Sequence, residues 1–437
     1  MSVNLLGTIW TIFTLISYRK SFAYTIMFTI VALIFQKALV CTVGGIRIGI
    51  FDVTSILLIL RYLYTVKFKF LIDKIGKMAF TVWGAFFLIS LLSGIFLNGY
   101  EIKIYGEYYG IFQIDSYYVK IDTSLLIVLG RLLLYIFVFV IIYNWFKDKE
   151  SNDIEYFVVK TINISLIIIT VVGVMQLANY YGLIDFSFVL EIVHDINSGG
   201  SAYYENYDRL YSCFAEPSYC APWLNAVFWF LVCFKSRVNN KLRYLIMLIV
   251  FIEYLLCRSF TGYIAFVLMS LYWGYTNKGK KIFYLYLLVI LFGIVVFIYS
   301  PLGSQIGKLV IEKSESTSGL ARVAFIQDCY RVFFDTNFWG VGYMQIKSMT
   351  LISGLLAQVG IIGTMTFIIF IYNLLKIKTQ SNIEKAVKIF FLATIVGGEV
   401  SCSGLHWLVE FWFGLYLYAM TSGYINHKIK RLKIREV

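Results

Sequence analysis

The sequence predicts an all-α fold, that of a polytopic helical membrane protein. Three observations predict it. The 437-residue chain is 60% hydrophobic and only 14% charged, which leaves too little polar surface to cover a soluble domain of that length. Apolar runs of roughly 20 residues, enough to cross a bilayer as a helix, recur from end to end. The apolar/polar alternation of a membrane barrel is absent from the sequence, and a helix satisfies its own backbone groups in lipid.

Taken in order, the runs place spans near 22–42, 50–66, 78–97, 122–145, 156–179, 218–234, 244–257, 260–276, 283–300, 352–375, 388–400 and 405–424. These are about twelve; a further apolar segment at 4–17 either adds a thirteenth or lies in the interface. The net charge of +13 raises nucleic-acid binding as a reading, and the placement of the charges argues against it. Most of the 38 Lys and Arg collect in alternate connections: Arg19 and Lys20; Lys67, Lys69, Lys74 and Lys77; Lys235, Arg237, Lys241 and Arg243; Lys278, Lys280 and Lys281; Lys376, Lys378, Lys385 and Lys388; and the tail from Lys428 to Arg435. That is the positive-inside pattern. The basic connections and the tail are therefore expected in the cytoplasm. No basic residue precedes the first apolar run and no small-residue cleavage site follows it, so no cleavable signal peptide is expected.

The 7 cysteines form no CxxC pair and no metal spacing. Most lie in apolar runs, where cysteine acts as a small hydrophobe. Cys213 and Cys220 fall on the outward side, with no pairing assigned. Neither metal nor cofactor is expected.

Residues 1–437 read as one transmembrane domain, with no soluble module, Pro- or Ser-rich linker or evident repeat. The outward connections are unequal. Residues 180–216 and 301–351 are long, and a third, 98–121, is Tyr-rich and carries Glu101, Glu107 and Asp115. Long connections within a compact domain are uncommon without a function, so chemistry is expected on the outward side.

The first long connection ends in RLYSCFAEPSYCAPW, residues 209 to 223. Pro217 suits the first turn of a helix. Glu216 then becomes the cap or its neighbour, in the positive field of the helix start. Pro222, one turn further in, should kink or interrupt that helix. Arg209 stands at the membrane surface, where pairing with Glu205, Asp208 or Glu216 would tidy the loop. The second long connection holds STSGLARVAFIQDCYRVFFD, which predicts an amphipathic helix over 318–335. Gln327, Asp328, Arg331 and Asp335 form its polar arc at about 100° per residue. Arg322 faces the other way, with Phe325, Ile326, Cys329 and Phe333. An arginine on such a face must meet an anion or snorkel out. A third outward arginine, Arg258, sits in CRSFTGY between two closely spaced spans. Guanidinium groups where helices meet the surface suit a diphosphate, because the planar fork donates bidentately and stays charged.

The ordered set RLYSCFAEPS, CRSFTGY, SGLARVAFIQDCYRVFFDTNFWGVGY and GLLAQVGIIG resembles the O-antigen polymerases of bacterial cell envelopes, and also the related O-antigen ligases. The likeness covers residues 205 to 375; elsewhere it rests on span number and topology. It implies a metal-independent glycosyltransferase in the bacterial inner membrane, active on the periplasmic face. Its substrates would be undecaprenyl-diphosphate-linked oligosaccharide repeats, and its partners membrane lipid, a chain-length regulator and a flippase. It further implies that Arg209, Arg258 and Arg322 hold the diphosphate. Ligases place a catalytic histidine shortly after the GVG turn; here the segment reads YMQIKSMTLIS, which favours a polymerase. A lipid-linked oligosaccharide flippase and a non-catalytic export partner remain as rival readings, the flippase disfavoured by the long outward connections.

In a polymerase, a sugar hydroxyl of one unit attacks the anomeric carbon of another and the lipid diphosphate leaves. Cations that stabilise the departing charge suffice without a general acid. A base would help the attacking hydroxyl. Glu216 is the first candidate, ahead of His194 and Asp195. His406 and Glu410, one turn apart on the last span, are either a relay or a packing pair. Glu399 lies near the outward end of its span. Arg131 and Glu253 are costly in lipid and should face the bundle.

Overall fold

The computed structural model describes residues 2–66, 72–108, 111–147, 149–194, 209–234, 240–276, 317–401 and 404–435. The protein is a mostly helical membrane protein. Four of its described helices are long and apolar enough to cross a bilayer: α4 (Lys74–Phe96), α5 (Thr123–Phe146), α6 (Ser151–Tyr180) and α12 (Leu351–Leu375).

The chain opens with a short strand, β1 (Ser2–Val3), and α1 (Leu5–Lys20). The Asn4 side chain accepts from Gly7 N at the start of α1, and Arg19 and Lys20 occupy its last turn, where cations suit the helix dipole. The segment at 4–17 is thus helical. α2 (Phe22–Val31) follows after one extended residue, Ser21, and runs into a 3-10 turn at Ala32–Ile34. The single span expected over 22–42 ends there. Residues beyond it form β2 (Leu39–Val43), which pairs antiparallel with β1 and with β3 (Ile46–Gly49). The reason is local. Gly44 and Gly45 have φ of 56° and 82° and join the Val43↔Ile46 pair in a two-residue turn, a geometry that favours glycine. Asp52, in the first turn of α3 (Ile50–Thr65), accepts from Gly49 N at 3.0 Å.

The Tyr-rich connection is also β structure. β4 (Glu101–Tyr108) and β5 (Ile111–Tyr118) pair antiparallel from Glu101↔Tyr118 to Tyr108↔Ile111. The all-α expectation therefore holds for the bundle and not for these two small sheets.

After α6 come α7 (Ser187–His194), α8 (Pro217–Cys233), α9 (Asn240–Leu256) and a helix over 260–276, α10. Pro217 opens α8 as expected, but Pro222 does not end it: the helix continues to Cys233. Pro222 packs closely on Gly397, where a Cβ would lie 2.5 Å away. The span expected at 283–300 lies outside the described residues, as does the first part of the connection 301–351. The helix expected at 318–335 is α11 (Thr317–Asp335).

α12 differs from a continuous span. Gly360, at its middle, has φ 62° and ψ −167°, so the helix is broken there. α13 (Asn382–Ser401) precedes a 3-10 turn, Leu405–Trp407, and α14 (Val409–Arg435). Every residue from Leu408 to Ser422 is buried. A helix apolar all round belongs inside a bundle, and α14 packs on α5 and α13. Trp223 of α8 meets Phe390 of α13 and Phe413 of α14 edge to face, at 6.5 and 5.6 Å between centroids.

Candidate functional site: an arginine cluster at the start of α8

The approach to α8 is held by one buried amide. Gln176, on α6, donates to Arg209 O at 2.9 Å and accepts from Tyr211 N and Ser212 N at 3.1 and 2.9 Å. Ser212 is left-handed, with φ 50°, and its hydroxyl donates to Ile169 O. The same segment lies against the α9–α10 connection: Leu210 N donates to Leu256 O at 2.9 Å and Arg209 Nε to Cys257 O at 3.2 Å. Arg258 follows at once, exposed and left-handed with φ 44°. The Tyr263 hydroxyl lies within electrostatic reach of both Arg258 and Arg209.

Arg322 reaches this place from α11. Phe325, Cys329, Val332 and Phe333 are buried on the inward face of α11. Phe325, Cys329 and Val332 pack with Ile102 and Val119 at the base of the β4–β5 hairpin and with Val341, Ile346 and Ala357. Arg322 shares that inward face, as its helical phase requires. Burial pushes its guanidinium below the usual arginine range; Glu216 and Tyr219 counter this, and Arg209 adds to it by like-charge repulsion. Arg209 and Arg322, more than 100 positions apart in the sequence, therefore share one site, with Arg258 beside Arg209. The polar arc of α11 needs one correction: Asp328 is buried and bonds Arg331 at 2.9 Å, because the hairpin and the 336–349 segment enclose more of the helix than its pattern suggests.

Glu216 is the N-cap residue of α8, exposed, with its carboxylate accepting from Ser218 Oγ at 3.1 Å. Its carbonyl accepts from Tyr219 N and Cys220 N. Ala215 N donates to Gln36 Oε1 at 3.0 Å, which fixes the entry angle of the helix.

The remaining candidates lie elsewhere. His194, on α7, is buried against the Tyr211 ring, 5.0 Å between centroids. Burial drives its imidazole down to about 4, a hydrogen bond with the Ser212 backbone opposes this, and Lys37 reinforces it. Its Nε2 has no hydrogen-bond partner among the described residues. Asp195 lies outside them. Glu399 accepts from Ile352 N at 3.0 Å, at the start of α12. Glu253 is buried on α9 and meets Thr170.

Arg131 pairs with Asp52 at 3.4 Å and also donates to Arg47 O. His406 sits on the 3-10 turn and not on the last helix, because α14 begins only at Val409. Its ring is 6.1 Å from that of Tyr343, within the GVGY turn, and it is 7% exposed. Glu410 is wholly buried, with neither carboxylate oxygen hydrogen-bonded among the described residues.

The sequence reading missed how the GVGY turn is seated. Val341 N and Gly342 N donate to Ala357 O and Gln358 O at 2.9 and 2.7 Å, and Ile361 N donates to Phe338 O at 3.0 Å. Ser93 Oγ donates to Gly340 O at 3.0 Å, and Tyr343 N to Ser90 Oγ at 2.8 Å. At the break at Gly360 the turn thus bonds the carbonyls of Ala357 and Gln358 and the N–H of Ile361, as irregular backbone in a membrane protein requires. The glycines of GVGY and GIIG were the available signal: a Cβ on Gly360 would lie 2.2 Å from Trp339 O.

Chemically, the start of α8 gathers guanidinium groups around an exposed carboxylate and two phenols. Like charges brought together repel, and an anion carrying more than one charge offsets that repulsion. Compared with known proteins, the chain matches no family model and no curated protein.

Proposed function

We propose that this chain is a polysaccharide polymerase of about twelve spans in the bacterial inner membrane. It joins undecaprenyl-diphosphate-linked oligosaccharide repeats at the periplasmic face. The observation that carries the reading is the convergence of Arg209 and Arg322, with Arg258 alongside, at the start of α8. In this reading the three arginines hold the donor diphosphate and stabilise the charge that develops as the anomeric bond breaks. A hydroxyl of the acceptor unit forms the new glycosidic bond and loses its proton, and lipid diphosphate departs. Glu216, beside Arg322, is the first candidate to take that proton; Asp195 and His194 rank below it. The protein works with a flippase and a chain-length regulator, and binds no nucleic acid.

A ligase reading has one observation in its favour. His406 stands beside the GVGY turn in space, although the segment after that turn contains no histidine. Its burial argues against direct contact with substrate. Glycan length decides between them. Cells lacking the protein should carry single-unit surface glycan if it polymerises. Loss of all surface glycan would replace this reading with ligation or flipping.

A further inference from the structure

We propose that Cys220 and Cys257 are joined by a disulfide in the mature protein, tying the first turns of α8 to the α9–α10 connection. The structure carries both as free thiols. They lie in hydrogen-bonding contact with each other, with Cys213 and Glu253 close by. Both are completely buried. The contact is not a chance approach of two long side chains. Leu210 N bonds Leu256 O, Arg209 Nε bonds Cys257 O, and Gly262 admits Ala221 so closely that a Cβ on it would lie 2.7 Å from that methyl. The backbones on either side of the thiol pair are pressed together by contacts that do not involve sulfur. Cys213 is the competing partner, but it acts on Cys220 only through charge at longer range, whereas Cys257 is in hydrogen-bonding contact with it.

The inference rests on the outward placement of this end of α8 in the function proposed above, because disulfides persist in exported compartments. The chemistry is thiol–disulfide exchange. One cysteine thiolate attacks an exported protein disulfide and forms a mixed disulfide. The second thiolate then displaces the donor's sulfur. Two electrons and two protons leave the cysteine pair, and the donor departs as a dithiol. Exchange precedes the docking of α9–α10 on α8, since both sulfurs are enclosed afterwards. The bridge would hold the turn bearing Arg258, and the Cys257 carbonyl that anchors Arg209, against the helix bearing Glu216 and Tyr219.

The test is differential alkylation. Membranes are dissolved directly in denaturant with excess N-ethylmaleimide, then reduced, and treated with an isotopically heavy maleimide. Peptide mass spectrometry should find the heavy label on Cys220 and Cys257 and the light label on Cys213. In Cys257→Ser, Cys220 should take the light label. Light label on both in the native sequence, a Cys213–Cys220 linkage, or heavy label on Cys220 in Cys257→Ser would each overturn the proposal. A reporter inserted in the 180–216 connection separates the causes. Reduced thiols with the reporter outside overturn the disulfide alone; reduced thiols with it inside overturn the topology as well.

Discussion

Arg131 and Arg322 are both arginines on apolar helix faces, and their surroundings differ. Arg131 meets the Asp52 carboxylate at 3.4 Å and the Arg47 carbonyl, so its charge is answered from within its own bundle. Asp52 does double duty there, since it also accepts from Gly49 N at the start of α3. Arg322 instead meets Glu216, which is exposed, and the like charge of Arg209. A cation paired with a part-buried carboxylate of its own bundle behaves as a fastening. Cations drawn together against their own repulsion behave as a receptor for an anion. The contrast separates structural arginines from those assigned to substrate, a distinction that burial alone does not make.

The largest effect should come from Arg209→Ala with Arg322→Ala. Each charge-assisted contact is worth roughly 1.5–3 kcal/mol, or about tenfold to hundredfold in rate if it strengthens at the transition state. The pair should abolish long glycan chains while membrane levels of the protein hold. Arg→Lys at either position should restore only part of the activity, because a point charge replaces a planar fork. Full-length polymer from the double variant would break the comparison.

Next in size is a pH effect at His194. Its folded-state value of about 4 lies below the ordinary 6.5, so between these values the unfolded chain binds the proton and the folded chain does not. Stability should therefore fall as pH drops from about 6.5 towards 4, by roughly 3 kcal/mol at most from this group. Thermal unfolding of the purified protein across that range should show a slope that His194→Phe removes. An unchanged slope would mean that His194 gains its proton without unfolding.

Asp52→Ala should cost about 1–3 kcal/mol of stability by leaving Arg131 without its carboxylate. Specific activity per folded molecule should not change. Adding Arg131→Met should recover part of the loss, as expected when a stranded charge is removed. A polymerisation defect with unchanged stability would move Arg131 into the substrate site and erase the contrast.

Glu216→Gln should have the smallest effect on stability, since glutamine still accepts from Ser218 and a helix start tolerates a neutral cap. As the candidate base, Glu216 should lose nearly all polymer on that change with folding intact; polymer that persists within about threefold would return it to the role of a cap.

By itself, the sequence determined what repeats locally. The apolar runs place most helices to within a few residues, since length and hydropathy suffice for that. Pro217 marks the start of α8, and the 3.6-residue period puts Arg322 on the inward face of α11 before any neighbour is known. Gly44 and Gly45 also carried a hairpin signal, hidden inside an apolar run that reads equally well as helix. Tertiary structure decided what depends on distant partners. Helices apolar all round have no phase from which to read their neighbours, so nothing in the runs pairs Arg131 with Asp52 or leaves Glu410 enclosed. Gln176 selects the conformation of Arg209 through Ser212 from another helix. The break at Gly360 exists because the GVGY turn supplies its hydrogen bonds, and backbone in lipid opens only where protein closes it again.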